Sequence, residues 1–79
     1  MEKEKRIEVN PKVMAGKPVI KGTRLTVHYI LSLLASRMTV DEILSEYEGL
    51  DREDILSCLA FAAEALERTE FVPLVVEAI

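Results

Sequence analysis

The chain contains too few cysteine, histidine and aromatic residues for several common kinds of small protein. Its 79 residues include one cysteine, Cys58, and one histidine, His28, so an internal disulfide and a zinc cluster are both excluded. Tryptophan is absent, and aromatic residues make up 5% of the chain. The hydrophobic 49% therefore consists mainly of Leu, Ile, Val and Ala, which favours a helical core.

Long apolar runs and catalytic groupings are also missing. No apolar stretch approaches the roughly 18 residues that a membrane span needs, and no signal-peptide segment follows the charged start at 1–6. We therefore expect a cytoplasmic protein with no membrane role. Acids cluster at 51–54 without a His or Cys companion, and helix capping explains them, so we expect no catalysis, metal or cofactor. The Gly16–Arg24 segment lacks the Gly-Lys-Ser/Thr order of a phosphate-binding loop.

Charge is divided between the two parts of the chain. The formal net charge is −4, but residues 1–37 hold eight basic residues and three acids, whereas residues 38–79 hold two basic residues and eleven acids. The first part therefore carries +5 and the second −9. This asymmetry indicates two surfaces with different partners, although charges that merely keep a small domain in solution would give the same counts.

Apolar spacing and turn residues predict a short N-terminal β-hairpin followed by three helices. Ile7–Val9 and Pro18–Ile20 have the patterns of short strands separated by turns. Helices are expected over Thr26–Ser36, from the capping box that begins at Thr39, and from Asp51 to about Arg68.

The third helix is apolar on nearly all sides between Ile55 and Leu66. A domain of this length has too little core to cover such a helix completely. We therefore expect the third helix to form the interface of a homodimer.

The segment from Thr39 to Cys58 has the spacing of a helix–turn–helix motif, with Gly49 at the turn and Ser45 where the two helices should approach closely. Such motifs place their second helix in the major groove of DNA. The acids in the first turn of that helix oppose this reading, because they would repel phosphates, and the basic N-terminal part would then contact DNA instead. The candidate nucleic-acid-binding residues are Lys17, Lys21, Arg24, Arg37 and Arg52.

Two alternatives accompany this interpretation. Arg24 is equally suited to an ion pair with an acid of the second or third helix. A helical hairpin with no nucleic-acid role has the same spacing, so the chain is alternatively a dimeric protein–protein interaction module without DNA binding.

The run Gly16-Lys-Pro-Val-Ile-Lys-Gly-Thr-Arg-Leu-Thr-Val27, followed by Thr39-Val-Asp-Glu-Ile-Leu44 and Leu59-Ala-Phe-Ala62, resembles a prokaryotic family called domain of unknown function 433. Members of that family are often labelled VapB-type antitoxins. The resemblance implies a small helical fold related to homeodomain-like and winged helix–turn–helix proteins. It also implies a dimeric antitoxin that represses its own operon by binding operator DNA and neutralises a PIN-domain ribonuclease toxin. Arg37 stands where that family often has glycine, and Glu48 where it often has proline.

The sequence thus predicts a mostly α fold: a three-helix helix–turn–helix domain over residues 1–68, with the β-hairpin at its start. Residues 69–79 are expected to form a C-terminal tail that binds a partner, although this apolar tail could equally pack on its own domain or on its dimer mate. The candidate toxin-contacting residues are Arg68, which could plug the acidic metal site of a nuclease, and Phe71, Leu74 and Val75.

Overall fold

The computed structural model of the protein describes residues 6–71. Its strands are β1 (Ile7–Glu8) and β2 (Val19–Ile20), and its helices are α1 (Val27–Ala35), α2 (Val40–Glu46) and α3 (Arg52–Arg68). The predicted mostly helical fold with a short N-terminal β-element is therefore confirmed.

The two strands pair antiparallel, with Ile7 opposite Ile20 and Glu8 opposite Val19. Two such short strands are not stable by themselves in water. Val19 and Ile20 are buried, and β1 packs against α3. The sheet is therefore held by the helices that it covers.

Each helix begins at the capping residue that the sequence predicts. The Thr26 side chain accepts a hydrogen bond from the backbone N–H of Tyr29 at 2.9 Å. Thr39 and Glu42 form a complete capping box, with bonds of 3.1 and 2.8 Å. Asp51 accepts from the N–H of Asp54 at 3.0 Å, and Asp54 accepts from the N–H of Asp51 at 3.0 Å. These bonds satisfy N–H groups that a helix start otherwise leaves unpaired.

A Schellman motif ends α1. The N–H of Arg37 donates to the carbonyl of Leu34 at 3.0 Å, and the N–H of Met38 donates to the carbonyl of Leu33 at 3.2 Å. This motif requires a left-handed residue at its turn, a position that glycine usually fills. Here Arg37 adopts a φ of 79°, which explains why a glycine suits this position.

The turn between α2 and α3 reverses the chain at Gly49, whose φ is 94°. It is closed by the N–H of Leu50, which donates to the carbonyl of Tyr47 at 3.3 Å. The predicted place of Gly49 is confirmed, but that of Ser45 is wrong. Ser45 is exposed rather than held between the helices, because Ile43 and the half-buried Leu44 supply the packed side of α2.

The core lies where the three helices and β2 meet. It consists of Ile20, Val27, Ile30, Ile43, Ile55 and Cys58, all of which are buried. Cys58 is thus a small core residue, as expected, and burial raises the pKa of its thiol to about 11. Only one side of α3 contributes to this core, and its opposite side faces outward.

Candidate nucleic-acid interface

Three of the five candidate cations lie on one short segment, residues 17–27, which contains β2 and the turn that leads from it to α1 and which we call the basic loop. Its two arms pair antiparallel through an isolated bridge between Val19 and Thr26, and the N–H of Ile20 donates to the carbonyl of Leu25 at 2.9 Å. In this register Lys21 and Arg24 lie opposite each other beside the tip. Lys17 lies about 13 Å from Lys21 along the first arm, at the extended rise per residue.

The tip of the basic loop is fixed by a bridging threonine. The hydroxyl of Thr23 donates to the carbonyl of Ile20 at 2.8 Å and accepts from the N–H of Leu25 at 2.9 Å. Gly22 supplies the positive φ, 84°, that the reversal requires. The tip is therefore an ordered support for the two cations beside it.

All three cations of the basic loop are exposed. Among residues 6–71, no carboxylate lies within salt-bridge distance of Lys17, Lys21 or Arg24. The alternative of an ion pair between Arg24 and an acid of α2 or α3 is not found in that part of the chain. Exposed cations held on an ordered loop, with no carboxylate paired to them in the described part of the chain, are suited to contact with an anionic partner.

Arg37 is exposed but lies away from the basic loop. The loop joins the start of α1, because Val27 donates from its N–H to the carbonyl of Pro18 at 2.9 Å. Arg37 follows the other end of this nine-residue helix, roughly 14 Å further along its axis. The structure therefore does not bring Arg37 together with the other basic candidates.

Arg52 lies at the start of α3, in acidic surroundings. Its guanidinium binds Asp41 of α2 at 2.6 Å, and both side chains are exposed. The first turn of α3 also contains Glu53 and Asp54. The end of α3 that a helix–turn–helix protein would present to DNA is consequently rich in carboxylates, and its one arginine is already paired.

Arg6 is the important residue that sequence reasoning missed. Its Nη1 binds Asp54 at 2.9 Å and Asp51 at 3.1 Å, and so joins the chain segment before β1 to the first turn of α3. The N–H of Asp54, and then the charge and hydrogen bond of Arg6, hold the pKa of Asp51 below its usual range. No local pattern connects residue 6 with residues 45 and 48 positions away, so only the fold reveals this contact.

An apolar groove of about 270 Å³ adjoins the basic loop, between the start of α1 and the second half of α3. Its lining includes Lys17, Pro18, Val27, Leu31, Phe61 and Ala65. Lys17 therefore has an apolar surface on one side and solvent on the other.

The expected partner-binding residues fall at the end of the described chain. Arg68 is exposed and pairs with Glu64 one turn earlier at 3.4 Å. Phe71 is 66% exposed, whereas Leu74 and Val75 lie outside the described residues.

The outward side of α3 carries an uncovered apolar surface. Leu56, Leu59 and Leu66 are 48%, 43% and 59% exposed, and Ala60 and Ala63 are exposed as well. We call Leu56, Leu59, Ala63 and Leu66 the α3 stripe, because their spacing of three and four residues places them on one side of the helix.

Two further properties concern the described residues only. None of the helices in the 6–71 region is both long and apolar enough to cross a bilayer. The same region contains no cluster of three or more His, Cys, Asp or Glu side chains that could hold a metal ion.

These observations define a small three-helix domain with a two-stranded sheet at its start. The family model described as "Protein of unknown function (DUF433)" matches residues 7–62, and the chain belongs to this family. A similar solved structure is the crystal structure of a DUF433 member protein from Anabaena variabilis ATCC 29413 at 2.00 Å resolution. The TM-score is 0.74 at 25% identity, and the match covers 80% of this chain but 62% of that one. The chain thus spans less than two thirds of the length of that protein. None of the curated proteins is significantly similar to it.

Proposed function

We propose that the protein is the antitoxin of a type II toxin–antitoxin pair, which binds its own operator as a homodimer and neutralises a PIN-domain ribonuclease. In this proposal DNA is bound by the basic loop, and the toxin is bound by the C-terminal segment that follows α3. The observation that carries the proposal is the set of three exposed cations on the basic loop, without a salt-bridge partner among the described residues.

The charges favour the basic loop over the first turn of α3 as the DNA-binding surface. Asp51 and Asp54 are occupied by Arg6 and by the capping box, and Arg52 is occupied by Asp41. Bringing this end of α3 to a phosphate backbone would place several carboxylates beside fixed negative charge. The basic loop carries cations on an ordered turn, and phosphate contacts by Lys and Arg supply most non-specific affinity for DNA.

A gel shift on the DNA upstream of the gene tests this assignment. Lys21→Ala/Arg24→Ala and Arg37→Ala/Arg68→Ala each remove two positive charges, and the second pair leaves both the basic loop and the α3 stripe unchanged, so they form a matched pair. We expect the first variant to lose most of its affinity. The slope of log K against log salt should become shallower by about 3.6, because the dimer loses two cations from each protomer and each of the four phosphate contacts contributes roughly 0.9. The second variant should bind like the wild type. An equal loss in both variants would show that net charge alone governs binding and would refute the assignment.

Toxin neutralisation has a separate test. Co-expression with the product of the neighbouring gene should give a stable complex, and removal of residues 69–79 should abolish it. Phe71→Ala should weaken the complex through the loss of an exposed aromatic contact, and Arg68→Ala through the loss of the cation proposed to enter the acidic metal site. A complex that survives the truncation would place toxin binding elsewhere on the domain.

A second candidate function is a dimeric protein–protein interaction module without a DNA role. The acidic first turn of α3 and the apolar α3 stripe on the same helix favour it. The gel shift separates the two functions: salt-sensitive retention of the operator supports the antitoxin, whereas no retention, with or without the toxin, supports the interaction module.

A further inference from the structure

The α3 stripe has a pattern that reads the same from either end. Leu56, Leu59, Ala63 and Leu66 follow one another at intervals of three, four and three residues. Leu56 and Leu66 are therefore equally far from the middle of the stripe, as are Leu59 and Ala63. When two copies of such a stripe are laid side by side in opposite directions, each position of one stripe therefore lies opposite a position of the other.

We infer that α3 pairs with α3 of a second copy in antiparallel orientation, across a twofold axis at the middle of the stripe. Leu56 then meets the partner's Leu66, and Leu59 meets the partner's Ala63. This inference rests on the homodimer of the proposed function and adds the orientation and register of its interface. A twofold interface is isologous, so each of these contacts occurs twice.

Charge at the two ends of α3 selects the antiparallel orientation. Arg52 lies one turn before the stripe, and Glu67 and Glu70 lie beside and just beyond its other end, all of them exposed. Antiparallel pairing brings Arg52 toward the partner's carboxylates at both ends of the interface. Parallel pairing would instead place Arg52 beside the partner's Arg52 and the carboxylates beside carboxylates, which is unfavourable.

Side-chain size and the helix dipole lead to the same orientation. In the antiparallel pair each Leu59 faces a small residue, so large and small side chains interdigitate on both sides of the axis. In a parallel pair Leu59 would face the partner's Leu59, and Ala63 would leave a gap against the partner's Ala63. Antiparallel helices also place the positive end of each dipole beside the negative end of the other.

Cysteine cross-linking tests the register directly. In a Cys58→Ala background, Leu56→Cys and Leu66→Cys proteins are prepared separately, then oxidised alone and as a mixture, at concentrations of tens of micromolar. In the antiparallel pair two copies of position 56 lie about 15 Å apart along the axis, beyond the roughly 7 Å that a disulfide spans between Cα atoms. We therefore expect a disulfide-linked dimer from the mixture and none from either protein alone.

Charge reversal supplies an independent test by analytical ultracentrifugation at low salt. Arg52→Glu and Glu67→Lys/Glu70→Lys should each weaken self-association about fivefold or more, because two exposed pairs change from attraction to repulsion. Mixing the two variants should restore association, since their ends are again complementary. Asp41→Asn is the matched control. It breaks the salt bridge to Arg52 within the protomer but leaves the stripe and the charges of Arg52, Glu67 and Glu70 unchanged, so it should associate at least as tightly as the wild type.

Several outcomes would overturn the inference. Disulfides formed by Leu56→Cys alone would indicate a parallel pair, and a monomer at every concentration would exclude the interface. If both charge variants associated as strongly as the wild type, the charges at the ends of α3 would not be what selects the orientation. These experiments use neither DNA nor toxin. Their result therefore does not depend on whether the protein binds its operator in the gel shift. Conversely, operator binding without cross-linking would refute only the antiparallel interface.

Discussion

Replacing Arg37 with glycine should stabilise the protein. Arg37 ends α1 in the left-handed conformation, with a φ of 79°, which costs a residue with a Cβ about 1–2 kcal/mol. Glycine removes this strain but has more conformational freedom to lose on folding, a cost of about 0.5–1 kcal/mol. The net gain is centred on about 0.75 kcal/mol and reaches at most about 1.5 kcal/mol. A domain of this size gains about 4–8 °C in Tm per kcal/mol.

Thermal and urea unfolding, followed by circular dichroism at one fixed protein concentration, measure this change. The fixed concentration is needed because association alters apparent stability. Arg37→Ala is the control, since it removes the charge and long side chain but keeps the Cβ and therefore the strain. The reasoning would be refuted if Arg37→Gly were no more stable than Arg37→Ala.

Three other predictions concern local chemistry. Glu48→Pro should stabilise the protein by about 0.4–1 kcal/mol in urea unfolding, because Tyr47, with φ −116° and ψ 93°, lies outside the α region that a following proline disfavours. A loss of stability would show that the turn does not accept proline. Cys58 should be alkylated at pH 8 about 100-fold more slowly in the native than in the urea-unfolded protein, because burial raises its pKa to about 11; rapid native labelling would contradict the buried position. The pKa of Asp51 is lowered by the N–H of Asp54 and by Arg6, so its contribution to stability is present above about pH 4 and is lost as the pH falls through the lower folded value. Asp51→Asn retains a helix cap and should flatten the fall in urea stability between about pH 5 and 3, whereas an unchanged slope would count against this role.

The ends of the helices could be predicted from the sequence because they depend on local chemistry. Thr39 and Glu42 are three residues apart, so the capping box is visible as a pattern, and both of its bonds form. The glycine after α2 and the cap at Asp51 likewise depend only on residues close to them in the sequence. Apolar spacing and turn residues also predict the two strands, although each is only two residues long.

Long-range contacts could not be predicted in this way. Arg24 and Arg6 are both basic residues near the sheet, and the sequence offers no reason to choose between them as partners of α3. The packing of the sheet determines which arginine contacts α3. Because β1 packs against α3, Arg6, which directly precedes β1, reaches Asp54. Ser45 fails for a related reason, because the side of α2 that faces the core depends on how α1 and α3 are arranged.

Arg6 also connects the two proposed surfaces. The backbone carbonyl of Arg6 accepts from the N–H of Lys21 at 2.7 Å, while its guanidinium holds the first turn of α3. The basic loop and the helix that carries the α3 stripe are thus fixed to the same residue. If operator binding requires two basic loops held at a set spacing by the dimer, Arg6→Gln should weaken DNA binding although Arg6 is not among the proposed DNA contacts. The backbone bond to Lys21 should persist in this variant, so the loss should appear as weaker operator binding with an unchanged salt slope. A shallower slope would instead make Arg6 a phosphate contact, and unchanged affinity would show that the loop and the helix act independently.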